Sequence, residues 1–115
     1  MKYLLFFISI TVLISSCSSI RSNINISPKH SFTLGDNKHG AFKVALQNNS
    51  DQEIEVYQRL VGGKNQAPIK LSPKESISVK IPSNTAVIID NKNAQEVTVS
   101  AKITGDIGLS MGYKN

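Results

Sequence analysis

Cys17 is the only cysteine in the chain. A lone thiol cannot close an internal disulfide, and no set of metal ligands surrounds it in the sequence. Gly108-Leu109-Ser110-Met111-Gly112 has the G-x-S-x-G spacing of a nucleophilic serine turn. Such a turn joins a strand to a helix and has its acid and histidine later in the chain. Only Tyr113, Lys114 and Asn115 follow, and His30 and His39 both lie upstream. The alternation of Ile107, Leu109, Met111 and Tyr113 with small residues predicts instead a last strand with one apolar face. His30 and His39 have no cysteine or paired carboxylate nearby, so exposed loop histidines are expected rather than metal ligands. Asp51, Glu53 and Glu55 fall on one side of a strand and could face a hard cation such as calcium. They lack the glycine of a calcium loop, and a solvated strand face is expected. Gly62-Gly63-Lys64-Asn65 lacks the spacing and the Ser/Thr of a phosphate loop and is read as a hairpin turn. Tyr57 is the residue best suited to binding. Strand parity sets it opposite Ile54 and Val56 and beside Glu55 and Arg59, and an exposed tyrosine among charges suits recognition. Tyr57, Arg59 and Glu55 are the candidate binding residues.

The cysteine acquires a meaning from what precedes it. Met1-Lys2 is a short positive start, and Leu4 to Ile14 is an apolar run broken only by Ser9 and Thr11. As a helix this run would cover roughly 16 Å of a hydrocarbon core about 30 Å thick, so it is too short to span. Charge, short apolar run and small residues in that order read as a secretory signal. Ile14-Ser15-Ser16-Cys17 resembles the lipobox of bacterial lipoproteins. The resemblance implies that the Cys17 thiol takes a diacylglyceryl group, that the chain is cut before Cys17, and that the new amine is acylated. One acyl chain holds a membrane marginally, at about 10⁴ M⁻¹, whereas two or more anchor stably. The residue after the cysteine is Ser18, not Asp, which in the sorting scheme of the family implies the outer membrane. An ordinary signal followed by a free thiol is the alternative.

Removing a signal of 16 residues from 115 leaves 99, which is one domain at most. The aromatic residues after the signal are Phe32, Phe42, Tyr57 and Tyr113, so the core must be aliphatic. Formal charge is +5, with lysines that are scattered along the chain. No basic run with interleaved aromatics is present, so nucleic acid is not an expected partner. Scattered lysines suit a soluble β-protein with blunted sheet edges. No cofactor is implied.

Residues 17–29 are read as the lipidated cysteine and a flexible tether rich in Ser and Asn, reaching roughly 17–21 Å. Ile24 and Ile26 alternate with polar residues, so the tether could end near Asn23. From Ser31 onward the period is two. Phe42-Val44-Leu46, Ile54-Val56, Ile77-Val79-Ile81 and Val97-Val99-Ala101-Ile103 each alternate with polar partners, as strands with one buried face do. Val87-Ile88-Ile89 is continuous and is expected to be central. Asn, Asp, Gly and Pro clusters punctuate these runs every 8–12 residues. The fold class is therefore all-β, a small antiparallel β-sandwich over residues 30–115.

A faint repeat refines this. Ile26-Ser27-Pro28-Lys29-His30-Ser31 echoes Leu71-Ser72-Pro73-Lys74-Glu75-Ser76, an offset of 45. Gln52-Glu53-Ile54-Glu55-Val56 echoes Gln95-Glu96-Val97-Thr98-Val99, an offset of 43. Two halves, about 26–70 and 71–115, are expected to pack as a pseudo-symmetric sandwich; shared turn grammar without a true repeat is the alternative.

The expected protein is a cell-envelope lipoprotein held to a bilayer through acylated Cys17, with a non-catalytic domain that binds a protein or glycan. A structural or assembly lipoprotein acting by sheet-edge pairing is the first alternative. A hydrolase using Ser110, or an inhibitor of a hydrolase, is the second.

Overall fold

The computed structural model describes residues 19–114. The expected signal, residues 1–16, and Cys17 lie outside the described residues. Every regular element among the described residues is a strand. They are β1 (Ser19–Ile26), β2 (Ser31–Leu34), β3 (Phe42–Asn48), β4 (Ile54–Leu60), β5 (Ile69–Leu71), β6 (Ser76–Ile81), β7 (Thr85–Asp90), β8 (Val97–Gly105) and β9 (Met111–Lys114). They form two antiparallel sheets, ordered β1-β8-β3-β6 and β5-β4-β7-β2-β9. The chain is the all-β sandwich expected from its alternation.

The core is where the two inner faces meet. Ile26, Val44, Leu46, Val97 and Val99 from the first sheet and Leu34, Ile54, Leu71, Val87 and Ile89 from the second are all at most 1% exposed. Each burial follows from strand parity, since successive side chains alternate between faces. Phe32 and Phe42 are the only buried aromatics in this core, which is otherwise aliphatic. β7 is interior in its sheet, between β4 and β2, and Val87, Ile88 and Ile89 are all buried, as the continuous run suggested.

The repeat is written into the topology. Pairing β1 with β5, β2 with β6, β3 with β7 and β4 with β8 turns the order β1-β8-β3-β6 into β5-β4-β7-β2, which is the second sheet without β9. Register follows. Ile26 faces Val97, and their counterparts Leu71 and Ile54 face each other. Phe32 faces Ile89, and their counterparts Ile77 and Leu46 face each other. Only the central pairs differ. Gln47 faces Ser100, whereas its counterpart Asp90 faces Glu55, the counterpart of Thr98, a slip of two residues that keeps each side chain on its face. Lys29 and Lys74, 45 positions apart, both take the left-handed conformation, with φ of 65° and 66°. That conformation is uncommon for a residue with a Cβ, so the match reflects a shared turn.

Two asparagines tie the sheets together at matching places. Asn48 and Asn91 are both 0% exposed. The Asn48 Nδ2 donates to the carbonyls of Gln52 (2.6 Å), Leu71 (3.1 Å) and Ser72 (3.3 Å). The Asn91 Nδ2 donates to those of Gln95 (2.8 Å), Ile26 (3.0 Å) and Ser27 (3.2 Å). Each Oδ1 accepts the N–H of the residue two further on, Ser50 or Asn93. Gln52 Nε2 donates to Gln95 Oε1 at 2.8 Å, joining the two counterparts directly.

Several expectations need correction. Residues 17–29 are not a tether throughout: β1 begins at Ser19 and pairs with β8 along all its length. Its polar face is satisfied across the sheet, where Thr98 Oγ1 donates to Asn25 Oδ1 and Ser100 Oγ to Asn23 Oδ1. The folded part therefore begins at Ser19 rather than residue 30, and the first half of the repeat includes all of β1. The last strand is shorter than its alternation suggested. β9 starts at Met111, and residues 106–110 form a loop in which Gly35 N–H donates to the Ser110 carbonyl. β8 leaves its sheet through Gly105 at φ +104°, where a Cβ would press to 3.1 Å from Ala41 O and Phe42 Cα; only glycine fits. β9 has no counterpart beside β6, whose outer edge carries no strand among the described residues.

Candidate functional site

The outer face of the five-stranded sheet is built in rows by register. Tyr57 on β4 faces Ile88 on β7, Ile88 faces Thr33 on β2, and Thr33 faces Gly112 on β9. The next row is Glu55, Asp90, Ser31 and Lys114. With glycine at its far end and threonine in its middle, the Tyr57 row is low. Ile88 and Thr33 form the floor of a trough, at 8% and 4% exposure although they point away from the core. Tyr57 and Arg59 stand on the β4 side of it and Lys114 on the β9 side, and Asn65 and Lys29 complete its lining. Asn65 is brought there by the turn after β4, through a bridge to Arg59.

Tyr57 is held in place. Its hydroxyl donates to Glu55 Oε1 at 2.6 Å, and Lys92 Nζ sits 2.9 Å from the same oxygen. The ammonium lies 5.8 Å from the centre of the tyrosine ring, within cation–π range. Lys29 Nζ donates to the Lys92 carbonyl at 2.7 Å, which steadies the turn carrying Lys92. Arg59 is oriented by Asp36 at 3.4 Å, and Lys114 approaches the same carboxylate at 3.8 Å.

These contacts set the proton affinities. The hydrogen bond from Tyr57, then Lys92, holds the Glu55 carboxyl below its ordinary value. The bond to Glu55 raises the Tyr57 phenol above its own, and Glu55 raises Lys92 likewise. The Glu55 contribution is present above the ordinary carboxylate value and lost as pH falls through the lowered one. The Tyr57 contribution is present below the ordinary phenol value and lost as pH rises through the raised one. The clamp is thus closed across the neutral range. In a Tyr113→Phe background, the remaining tyrosine of the mature domain is expected to titrate above the ordinary phenol value, and Glu55→Gln to bring it back down. Ultraviolet difference absorbance measures both; an unchanged titration would show that the clamp does not form.

The sequence-derived trio divides cleanly. Tyr57 and Arg59 line the trough, and Glu55 supports Tyr57 from beside it. Lys29, Lys92, Lys114 and Asp36 were not anticipated, because they come from turns and an edge strand whose neighbours only the topology defines. Ile88 carried a signal: the unbroken Val87-Ile88-Ile89 run puts an apolar side chain on an outer face.

The other candidate chemistry does not assemble. His39 is buried, not exposed as expected. Its Nδ1 and Nε2 lie 2.6 Å from the Gly40 carbonyl and 2.9 Å from the Thr85 carbonyl, and its ring packs edge-on against Phe42. The Nδ1 of His30 lies 2.8 Å from the Pro28 carbonyl. Neither ring is hydrogen-bonded to Ser110, whose N–H is taken by Asn37 Oδ1 at 2.9 Å. Asp51 pairs loosely with Lys74 at 3.7 Å and does not converge with Glu53 and Glu55. Among the described residues no group of three or more His, Cys, Asp or Glu could hold a metal ion.

A second trough lies on the outer face of the four-stranded sheet, at the pseudo-symmetric place. Its lining includes Ala45, the counterpart of Ile88, with Ser100 and Lys102, the counterparts of Tyr57 and Arg59; the two-residue slip sets Lys102 rather than Ser100 opposite Ala45. It has no aromatic wall; Arg21, Lys102, Gln47 and Ile77 line it beside small polar side chains. No protein-family model, curated protein or solved structure matches the chain.

Proposed function

We propose that the protein is a cell-envelope lipoprotein, anchored by acylated Cys17 to the outer membrane, whose β-sandwich binds a protein or glycan without catalysing a reaction. The observation that carries the binding reading is the Tyr57 trough. A clamped aromatic ring, an aliphatic floor and a rim of cationic and amide donors fit a ligand with an apolar face and polar edges, such as a sugar ring or an extended peptide. Cations and carboxylates nearly balance there, which favours polar recognition over bulk charge attraction. The anchor reading is carried by Ile14-Ser15-Ser16-Cys17 after a short apolar run.

The test is crosslinking in intact envelopes with tagged full-length protein. Tyr57→Ala removes the wall, and loss of such an anchor costs about 2 kcal/mol, roughly 30-fold in affinity. The specific crosslinked product is expected to fall accordingly, while Ser100→Ala, in the symmetric trough, leaves it unchanged. Equal yield from all three proteins would refute binding at this face. The sheet-edge alternative rests on β6, whose six residues have, among the described residues, no covering strand like the one β9 gives β2.

A further inference from the structure

The two ends of the sandwich differ in chemistry. At one end lie the turns 27–30, 49–53, 72–75 and 91–96, made almost wholly of Asn, Ser, Asp, Lys, Glu and Pro. At the other end β1 starts and β2, β4, β6 and β8 finish. This second end gathers exposed apolar side chains. Leu60 is 57% exposed, Val61 37%, Ile107 38% and Met111 42%, four of the six large apolar residues left exposed among the described residues. The same end holds a mostly apolar depression around Phe42, Ile81, Pro82 and Gly105, with Lys43 and Lys80 also in its lining. Hydrogen bonds join these loops into one surface: Val61 N–H to Asn84 O, Asn84 N–H to His39 O, and Asp106 N–H to Ala41 O.

β1 begins at this end, with Ser19 facing Thr104. One residue, Ser18, separates Ser19 from Cys17. The charge fits as well. Lys38, Lys43, Lys64 and Lys80 are exposed on or next to this end, and none makes a salt bridge among the described residues. Asp36 is engaged by Arg59 and Lys114, and the Asp106 carboxylate accepts the N–H groups of Gly40 and Gly108. Apolar side chains ringed by lysines are the composition that settles into an anionic lipid surface.

We infer that this end of the sandwich is a membrane-docking surface that lies on the bilayer beside the anchor, fixing the domain upright with its polar turns pointing away. On the lipoprotein reading, on which this orientation rests, the single residue between Cys17 and β1 sets the domain close to the bilayer, and the Tyr57 trough faces sideways along the membrane.

The test uses full-length mature protein reconstituted in phosphatidylethanolamine–phosphatidylglycerol vesicles. Ile107→Cys and Ala94→Cys each give one labelling site, at the apolar and polar ends, for an environment-sensitive dye. Lipid-borne quenchers are expected to dim the dye at position 107 several-fold more than at 94, and aqueous iodide to do the reverse. Exchanging Val61 and Met111 for Asp should reduce that difference while the protein stays on the vesicles. Protein that floats with the vesicles yet quenches equally at both positions overturns the docking surface and leaves the anchor standing. Protein that does not float overturns the anchor and this orientation with it.

Discussion

An Asn91→Ala variant is expected to lose about 3 kcal/mol of stability, roughly 15 °C in midpoint for a domain of this size. The amide is wholly buried and donates to three carbonyls, two of them on the opposite sheet's side of the corner. Truncation leaves the buried Ile26 carbonyl without its partner, and the Ser27 and Gln95 carbonyls and the Asn93 N–H without theirs at the part-buried margin. An unpaired buried group costs on the order of 1–3 kcal/mol, and a small domain holds only about 5–15. Asn48→Ala should cost about as much, because Asn48 makes the matching set of contacts. Asp at either position should be worse, since a carboxylate would face carbonyl oxygens. Urea denaturation measures all of these. A loss below about 1 kcal/mol for either Ala variant would mean that the two asparagines are not what joins the sheets.

A Cys17→Ala variant is expected to change location completely rather than by degree. It removes the only thiol in the chain, and with it any site for thioether lipid attachment. Each buried methylene of an acyl chain contributes about 0.8 kcal/mol of membrane affinity, so losing the chains removes the lipid anchor. Metabolic labelling with a fatty acid should fall to background, and the precursor should remain uncut at this position. Fractionation should show the variant retained by its unprocessed signal or degraded, not present as a mature lipidated band. Unchanged labelling would remove the lipobox reading.

The strands were legible because an antiparallel sandwich buries one face of each, and the Val44-Leu46 and Val97-Val99 alternations record that directly. The repeat was legible for the same reason: Asn48 and Asn91 need the same neighbours, so the same turn residues recur around them. β1 reads largely as tether because its outer face is Ser19, Arg21, Asn23 and Asn25, and the side chains of Thr98 and Ser100, more than seventy positions away, help make that face a sheet surface. The burial of His39 is not legible in the sequence because its partners are backbone carbonyls, one of them at Thr85, which no local pattern announces. Within the candidate site, Glu55, Tyr57 and Arg59 share a strand and were found by parity. Lys92 reaches Tyr57 from the turn after β7, a neighbour that exists only once β4 and β7 have paired.

The proposed anchor rests on the chemistry of one sulfur two residues before the first strand. Its most direct test is the intact mass of the N-terminal peptide of the mature protein recovered from envelopes. Lipidation at Cys17 predicts a peptide that starts at residue 17 and carries diacylglycerol on sulfur, with a further acyl group on the amine. A peptide starting elsewhere, or starting at residue 17 with a bare thiol, would contradict it.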